Sequence, residues 1–317
     1  MTHETARWYW AYSAKGAVCA QKNARTGKIA NAPRNQSEVM SIVNKSIFRD
    51  GPVHATIPAG TRSIGNQVTF HISKLDYPAN AFVCLSDHIL IASPELCFLQ
   101  AAEKLSFIKT VEYGCNLCGV FYLDNTSESG TSERDPITTK AKIASFLEKC
   151  TGHRGYRRAK TALSYVLENS ASPAESKGAT MLSLPLRYGG YGLYGLALNV
   201  KIDIPKRFRG LIDKAYLKAD FMWPGTRVTA EYDSDAAHTK SHQISRDHIR
   251  VNALQSMGYY SCGITKLQME SMLECDRIAE TLRRELKYKQ RKKPKNYAQR
   301  KRELRSELGL PIFLDVQ

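Results

Sequence analysis

The chain has 317 residues, with 46 Lys+Arg against 30 Asp+Glu, a formal net charge of +16 and a pI near 9.5. That length supports two domains with cores of their own, and no uninterrupted apolar run reaches the ~18 residues that a membrane span requires. No apolar leader follows the charges at Glu4 and Arg7, and most of the eight cysteines sit in apolar contexts. Together these predict a cytoplasmic protein with reduced core thiols.

In chain order, residues 53–58, 67–73, 81–86 and 88–92 read as short strands. Ser93-Pro94 then starts a helix running to about Leu105, with serine as N-cap and proline at the first helical position. Cys115-Asn116-Leu117-Cys118 is the one CxxC, and without a second pair at zinc spacing it is read as structural. The polar run 124–136 carries no buried-face period and is predicted to separate two domains. Past it, Ser172-Pro173-Ala174-Glu175 is a capping box, predicting a helix to about Leu184 before Pro185. Tyr188–Gly195 is rich in glycine and tyrosine; such a stretch can admit a phosphate backbone and stack on bases, or simply connect.

Residues 219–233 read as two strands around a Trp223-Pro224-Gly225-Thr226 turn, with proline presetting φ and glycine supplying φ > 0. A tight hairpin would pair Met222 with Arg227 and set Asp220 against Thr229. Asp220, Glu231 and Asp233 would then share a face, Asp220 and Glu231 as diagonal neighbours. Carboxylates crowded in this way become tolerable around a divalent cation. His238, Lys240 and His242 are expected in a polar loop. Residues 246–254 should be helical, with Arg246 and Arg250 on one face and Ile249, Ala253 and Met257 buried. A strand over 258–264 follows. Ala279, Leu282 and Leu286 continue an apolar stripe from Leu267. Between Arg283 and Arg305 lie twelve Lys/Arg and two acids, ten of the sixteen net positive charges. That density suits counterion release from phosphates. Beyond Arg291 the reading is a charged extension, with residues 308–313 docking back.

With Asp220, Glu231-Tyr232-Asp233, His238 and Arg246-Asp247-His248-Ile249-Arg250 in this order, residues 155–266 resemble the PD-(D/E)XK nuclease superfamily. The branch is the one related to the very short patch repair endonuclease. The superfamily's usual lysine, two residues after the glutamate, is Asp233 here. Residues 50–120 resemble, more weakly, a module of abortive-infection antitoxin relatives, on Pro52-Val53-His54, Phe70-His71 and Ser93-Pro94-Glu95.

The resemblance implies an α/β restriction-endonuclease-like core, a mixed sheet flanked by helices, preceded by an α+β accessory domain. Boundaries are set at 1–126 for the accessory domain, 127–136 for a linker, 137–282 for the nuclease-like domain and 283–317 for a basic extension. It implies Mg²⁺ or Mn²⁺ on Asp220 and Glu231, Glu175 or Asp233 completing the shell, and His238 as base. Nucleic-acid contacts are assigned to Arg246, Arg250, Lys240, Arg291, Lys292 and Lys293. The expected activity is endonucleolytic hydrolysis of DNA. A catalytically silent fold serving as a DNA-binding regulator or antitoxin is the alternative, and charge alone does not separate DNA from RNA.

Overall fold

Serines and threonines open most of the helices. In the computed structural model Ser93, Ser106, Thr139, Ser172 and Ser271 each accept a hydrogen bond from the backbone N–H three residues on. The structure describes residues 1–14, 23–24, 35–43, 51–58, 66–73, 77–86, 89–210, 212, 214–233 and 241–312, with backbone alone at 23–24, 58, 86 and 241–248. The architecture is mixed α/β, and the chain divides into two units, Met1–Val166 and Leu167–Gln317. Among the described residues no helix is long and apolar enough to cross a membrane.

The first unit contains α1 (His3–Tyr12), β1 (Asn23–Ala24), α2 (Gln36–Ile42), β2 (Val53–Pro58), β3 (Val68–Ser73), β4 (Phe82–Ser86), β5 (Ile89–Ala92), α3 (Pro94–Lys104), α4 (Phe107–Leu117), β6 (Phe121–Leu123), β7 (Thr131–Glu133), α5 (Lys140–Glu148) and α6 (Tyr156–Leu163). The strands form a sheet in the order β1-β4-β5, a parallel pair β2-β3 and a hairpin β6-β7. α3 is buried on nearly every side, from Leu96 through Ala102, as befits a helix apolar all round. Cys115 and Cys118 are both buried, as core cysteines are.

The polar run read as a linker closes a hairpin inside this unit instead. Asp124 accepts from the Thr126 N–H (2.9 Å), Thr126 Oγ1 (2.6 Å) and Ser132 Oγ (2.7 Å). Local side-chain bonds of this kind need no buried face, so hydrophobic periodicity could not register them.

The second unit contains α7 (Pro173–Ser183), β8 (Ala197–Asp203), β9 (Tyr216–Met222), β10 (Val228–Asp233), α8 (Ser241–Ser256), β11 (Tyr260–Thr265), α9 (Lys266–Glu270), α10 (Met272–Glu285) and α11 (Tyr297–Glu307). Its mixed four-stranded sheet runs β11-β10-β9-β8, with β10 and β11 parallel and the other pairs antiparallel. A parallel pair needs a crossover, which α8 provides. Ala253, Leu254 and Met257 of that stretch pack with Ile202, Ile204, Leu217 and Ala219 of the sheet side.

Two expectations change here. The segment after Arg291 is not a solvated extension: Tyr297, Lys301, Leu304, Arg305 and Leu308 are buried along α11. Arg305 donates to the Pro311 carbonyl (2.7 Å), the Met269 carbonyl (3.2 Å) and the Glu270 carbonyl. Lys301 pairs with Asp276 at 2.5 Å, and Tyr191 Oη donates to the same carboxylate at 2.8 Å. A mostly charged helix can still bury one stripe when its cations find carbonyls and carboxylates. Leu267 is not part of a buried stripe either; it is 72% exposed, whereas Met272, Cys275, Ala279, Leu282 and Leu286 are buried.

Close backbone packing accounts for two glycines of the glycine-rich stretch. Gly189 has φ +86°, and a Cβ there would lie 2.2 Å from the Arg300 carbonyl oxygen; one on Gly190 would lie 2.1 Å from the Leu184 oxygen. These two glycines admit neighbouring backbone, not a phosphate.

Candidate active site

The hairpin forms as the turn chemistry predicts. Thr226 N–H donates to the Trp223 carbonyl (3.0 Å) and Gly225 takes φ +81°. Its register differs. Met222 pairs with Thr229 and Phe221 with Ala230, which sets Asp220 directly opposite Glu231 instead of Thr229. The cause is Trp223, which is 1% exposed and anchored through Nε1 to the Leu193 carbonyl at 3.2 Å. Its N–H closes the loop on the Val228 carbonyl (3.3 Å), so the connection is longer than a tight turn. A shift of two residues preserves parity, so the acids stay on one face and move closer, to a direct cross-strand spacing of roughly 5 Å at Cα.

Asp220 and Glu231 meet at one cation. Arg250 Nη2 of α8 lies 2.5 Å from Glu231 Oε2 and 3.8 Å from Asp220 Oδ1, and it also donates to the Lys218 carbonyl. The two carboxylate oxygens are therefore no farther apart than those two distances laid end to end. The other oxygen, Asp220 Oδ2, accepts from the Tyr232 N–H at 2.8 Å. Arg250 can reach them because the buried stripe of α8 is Ala253, Leu254 and Met257, three, four and seven residues on. Ile249, expected in that stripe, is 45% exposed.

Glu175 approaches from α7. It is 8% exposed, accepts from the Ala171 N–H (2.9 Å), Ser172 Oγ (3.2 Å) and Asn199 Nδ2 (2.7 Å), and so does more than cap its helix. Burial raises its pKa above the usual carboxylate range, and the charge of Asp220 adds to the effect. Asn199 belongs to β8, and continuing the β8–β9 register by one residue sets it opposite Asp220. Its φ of +51° lies in the left-handed region that asparagine tolerates better than most residues. Asn199 thus ties α7 to the sheet beside the acids, a role that strand periodicity does not reveal.

Asp233 ends β10, two residues beyond Glu231 and so on the same face, with Thr265 of β11 beside it. Gly263 stands next to Glu231, and a Cβ on it would meet open space. Burial first, and the Glu231 charge second, push the Cys262 thiol up to about 12, so it is inert at neutral pH. His238 and Lys240 lie outside the described residues. His242 and Arg246 fall within α8, which begins earlier than expected, at Ser241, and their side chains are outside the description. Among the described residues no group of three or more His, Cys, Asp or Glu could by itself hold a metal ion.

Arg291, Lys292 and Lys293 are exposed between α10 and α11. The Arg291 guanidinium lies 5.3 Å over the Tyr194 ring, which stacks on Tyr288 at 4.5 Å and 11°. Arg187, Tyr194, Arg291 and Lys292 line a cavity of about 430 Å³. Lys293 Nζ sits 5.4 Å over the Tyr297 ring. The expected nucleic-acid residues whose side chains are described therefore divide into Arg250, which braces the acids, and a basic-aromatic surface of Arg291, Lys292 and Lys293.

No protein-family model, curated protein or solved structure matches the chain.

Proposed function

We propose that the second unit is a restriction-endonuclease-like domain that hydrolyses phosphodiester bonds in DNA with Mg²⁺ or Mn²⁺. The observation that supports this most is the pairing of Asp220 and Glu231 on adjacent strands, with Glu175 held behind them by Asn199. Two carboxylates set side by side on the inner strands of the sheet gain nothing for a protein that only binds a polyanion.

The donor set suits a hard cation, since carboxylate oxygens are what Mg²⁺ and Mn²⁺ take. A shared ion needs oxygens no more than about 4 Å apart, since its bonds are ~2.1 Å each, and the Arg250 guanidinium now lies between the same oxygens. The residues fit if Arg250 withdraws from at least one acid, and its long stem permits that. When bound, the ion would polarise the phosphate and lower the pKa of a coordinated water. Asp220 and Glu231 would hold it, and Glu175 or Asp233 would orient that shell. Arg250, once withdrawn, would meet the charge developing on the phosphate. His238 would take the proton from water. The surface carrying Arg291, Lys292, Lys293 and Tyr194 would hold flanking nucleotides by charge and stacking.

Asp233 in place of the superfamily's lysine, and Arg250 within ion-pair distance of both acids, favour a second reading. In it the fold is catalytically silent and the protein is a DNA-binding regulator. Calorimetric titration of Mn²⁺ separates the two. The nuclease reading expects saturable binding by the wild type that is lost in Asp220→Ala; no binding by the wild type leaves the regulator.

A further inference from the structure

The first unit holds a cluster of imidazoles that the nuclease reading does not use. His3 of α1, His54 of β2 and His71 of β3 gather beside α3. His54 Nδ1 and His71 Nε2 are 2.9 Å apart, and the His3 ring stacks on His71 with centroids 3.5 Å apart at 13°. Together with Glu4, Arg7, Gln100 and Lys104 they line a cavity of about 120 Å³. At ~30 Å³ per water that is room for about four waters, or for a tetrahedral ion of five heavy atoms.

We infer that this cavity binds a phosphate group, held by Gln100, Arg7, Lys104 and the imidazoles of His54 and His71. Gln100 is 5% exposed, and its Oε1 is committed to the His3 N–H at 2.9 Å. Its Nε2 is buried with no hydrogen-bond partner among the described residues. A buried donor left unmade costs about 1–3 kcal/mol, so this side chain calls for an acceptor in the cavity. His3 takes φ +48°, a conformation rare outside glycine that recurs at ligand clamps.

The charges around the cavity are Arg7 and Lys104 on the positive side and Glu4 on the negative. Glu4 is 69% exposed and lies 3.5 Å from Arg7 Nη2 and 3.6 Å from His54 Nε2. Burial, then the neighbouring imidazoles and cations, hold His3 down to about 3; burial, His54 and Lys104 hold His71 down to about 4. Burial also lowers His54, against a smaller upward pull from Glu4. A neutral imidazole cluster facing two cations is short of negative charge. An oxyanion would supply it, raise the histidine pKa values and so draw in protons. The stacked rings and the His54–His71 contact turn ring nitrogens toward each other, an arrangement that suits no tetrahedral or octahedral cation. Glu4 would act as a gate, competing with the anion for Arg7 and His54.

Calorimetry on the full chain tests this with sulfate, which stays a dianion throughout the range, then inorganic phosphate, then a nucleoside 5′-monophosphate and its nucleoside. Expected are saturable binding with net proton uptake, and affinity at least about tenfold higher near pH 6 than near pH 7.5. Gln100→Glu keeps the acceptor for His3 N–H and replaces the donor with a repelling oxygen; it should weaken binding at least about tenfold. Glu4→Gln, at an exposed position, should tighten it. Equal affinity for phosphate and the monophosphate assigns the site to the phosphate group alone, while a preference for the monophosphate assigns it to an ester. No saturable binding of any of the anions would overturn the inference. So would binding that Gln100→Glu and Lys104→Met leave unchanged, or Zn²⁺ binding that His54→Gln abolishes. None of these results bears on the acids of the second unit.

Discussion

Replacing Arg250 with methionine keeps most of the side-chain volume and deletes a cation that lies between Asp220 and Glu231. The side chains of Arg250, Asp220 and Glu231 are 29%, 21% and 15% exposed, a largely dry site. Removing one partner of a fully buried ion pair costs about 3–5 kcal/mol; with this exposure the expectation falls to about 2–3 kcal/mol. An independent figure agrees. Two carboxylates no farther apart than the 3.8 and 2.5 Å contacts to Arg250 laid end to end repel by roughly 3 kcal/mol at an effective dielectric of 20. Urea unfolding of the second unit, where Trp223 reports, should therefore show that loss in the absence of divalent ions. Mn²⁺ at about a hundred times its dissociation constant should restore roughly 2.7 kcal/mol, because the ion then takes the place of the guanidinium. The wild type should gain less, since its cation must first be displaced. If Arg250→Met is as stable as the wild type, the ion pair is energetically idle. If the variant is destabilised but no divalent ion rescues it, the acids are a salt-bridge network only and the metal assignment fails.

Glu231→Gln should abolish Mg²⁺-dependent cleavage while leaving DNA binding intact or tighter, since it removes both a metal oxygen and a repulsion toward phosphate; His238→Ala should lower the rate by roughly 10²–10⁴ if it is the base. Changing Arg291, Lys292 and Lys293 together to glutamine should flatten the slope of log affinity against log salt by about two to three units. Deleting residues 291–317 should instead unfold the second unit, because it strips out the buried Leu304 and Arg305, and circular dichroism distinguishes the two variants. The first unit should lose stability in acid. His3 and His71 are held at about 3 and about 4 when folded, against ~6.5 unfolded. The unfolded chain then binds more protons in between, so stability is full above about pH 6.5 and falls as pH drops toward 4. Urea midpoints measured across that window should show the fall, and His71→Gln should shallow it.

Much of this fold is written in local chemistry. Ser172-Pro173 and Ser93-Pro94 open helices where capping demands, and Pro224-Gly225 makes its turn. The facing of Asp220 and Glu231 survived a register error because strand parity depends only on even or odd spacing. The register itself did not follow from the turn, since the burial of Trp223 against Leu193 is a tertiary fact. The same holds for Arg250, whose contact with two acids follows from which stripe of α8 meets the sheet, and for α11, whose charged sequence hides a buried row. Asn199 and Gln100 were illegible for a further reason. Each matters through one amide aimed at a group far away in sequence, and no period carries that information.

The central claim is that Asp220 and Glu231 support phosphodiester hydrolysis. Incubating purified wild-type protein with single- and double-stranded DNA in Mg²⁺ or Mn²⁺, beside Glu231→Gln, tests it most directly. Metal-dependent cutting by the wild type that the variant loses is the predicted result. Binding without cleavage of either substrate in either metal would contradict it and leave a silent nuclease fold that acts by holding DNA.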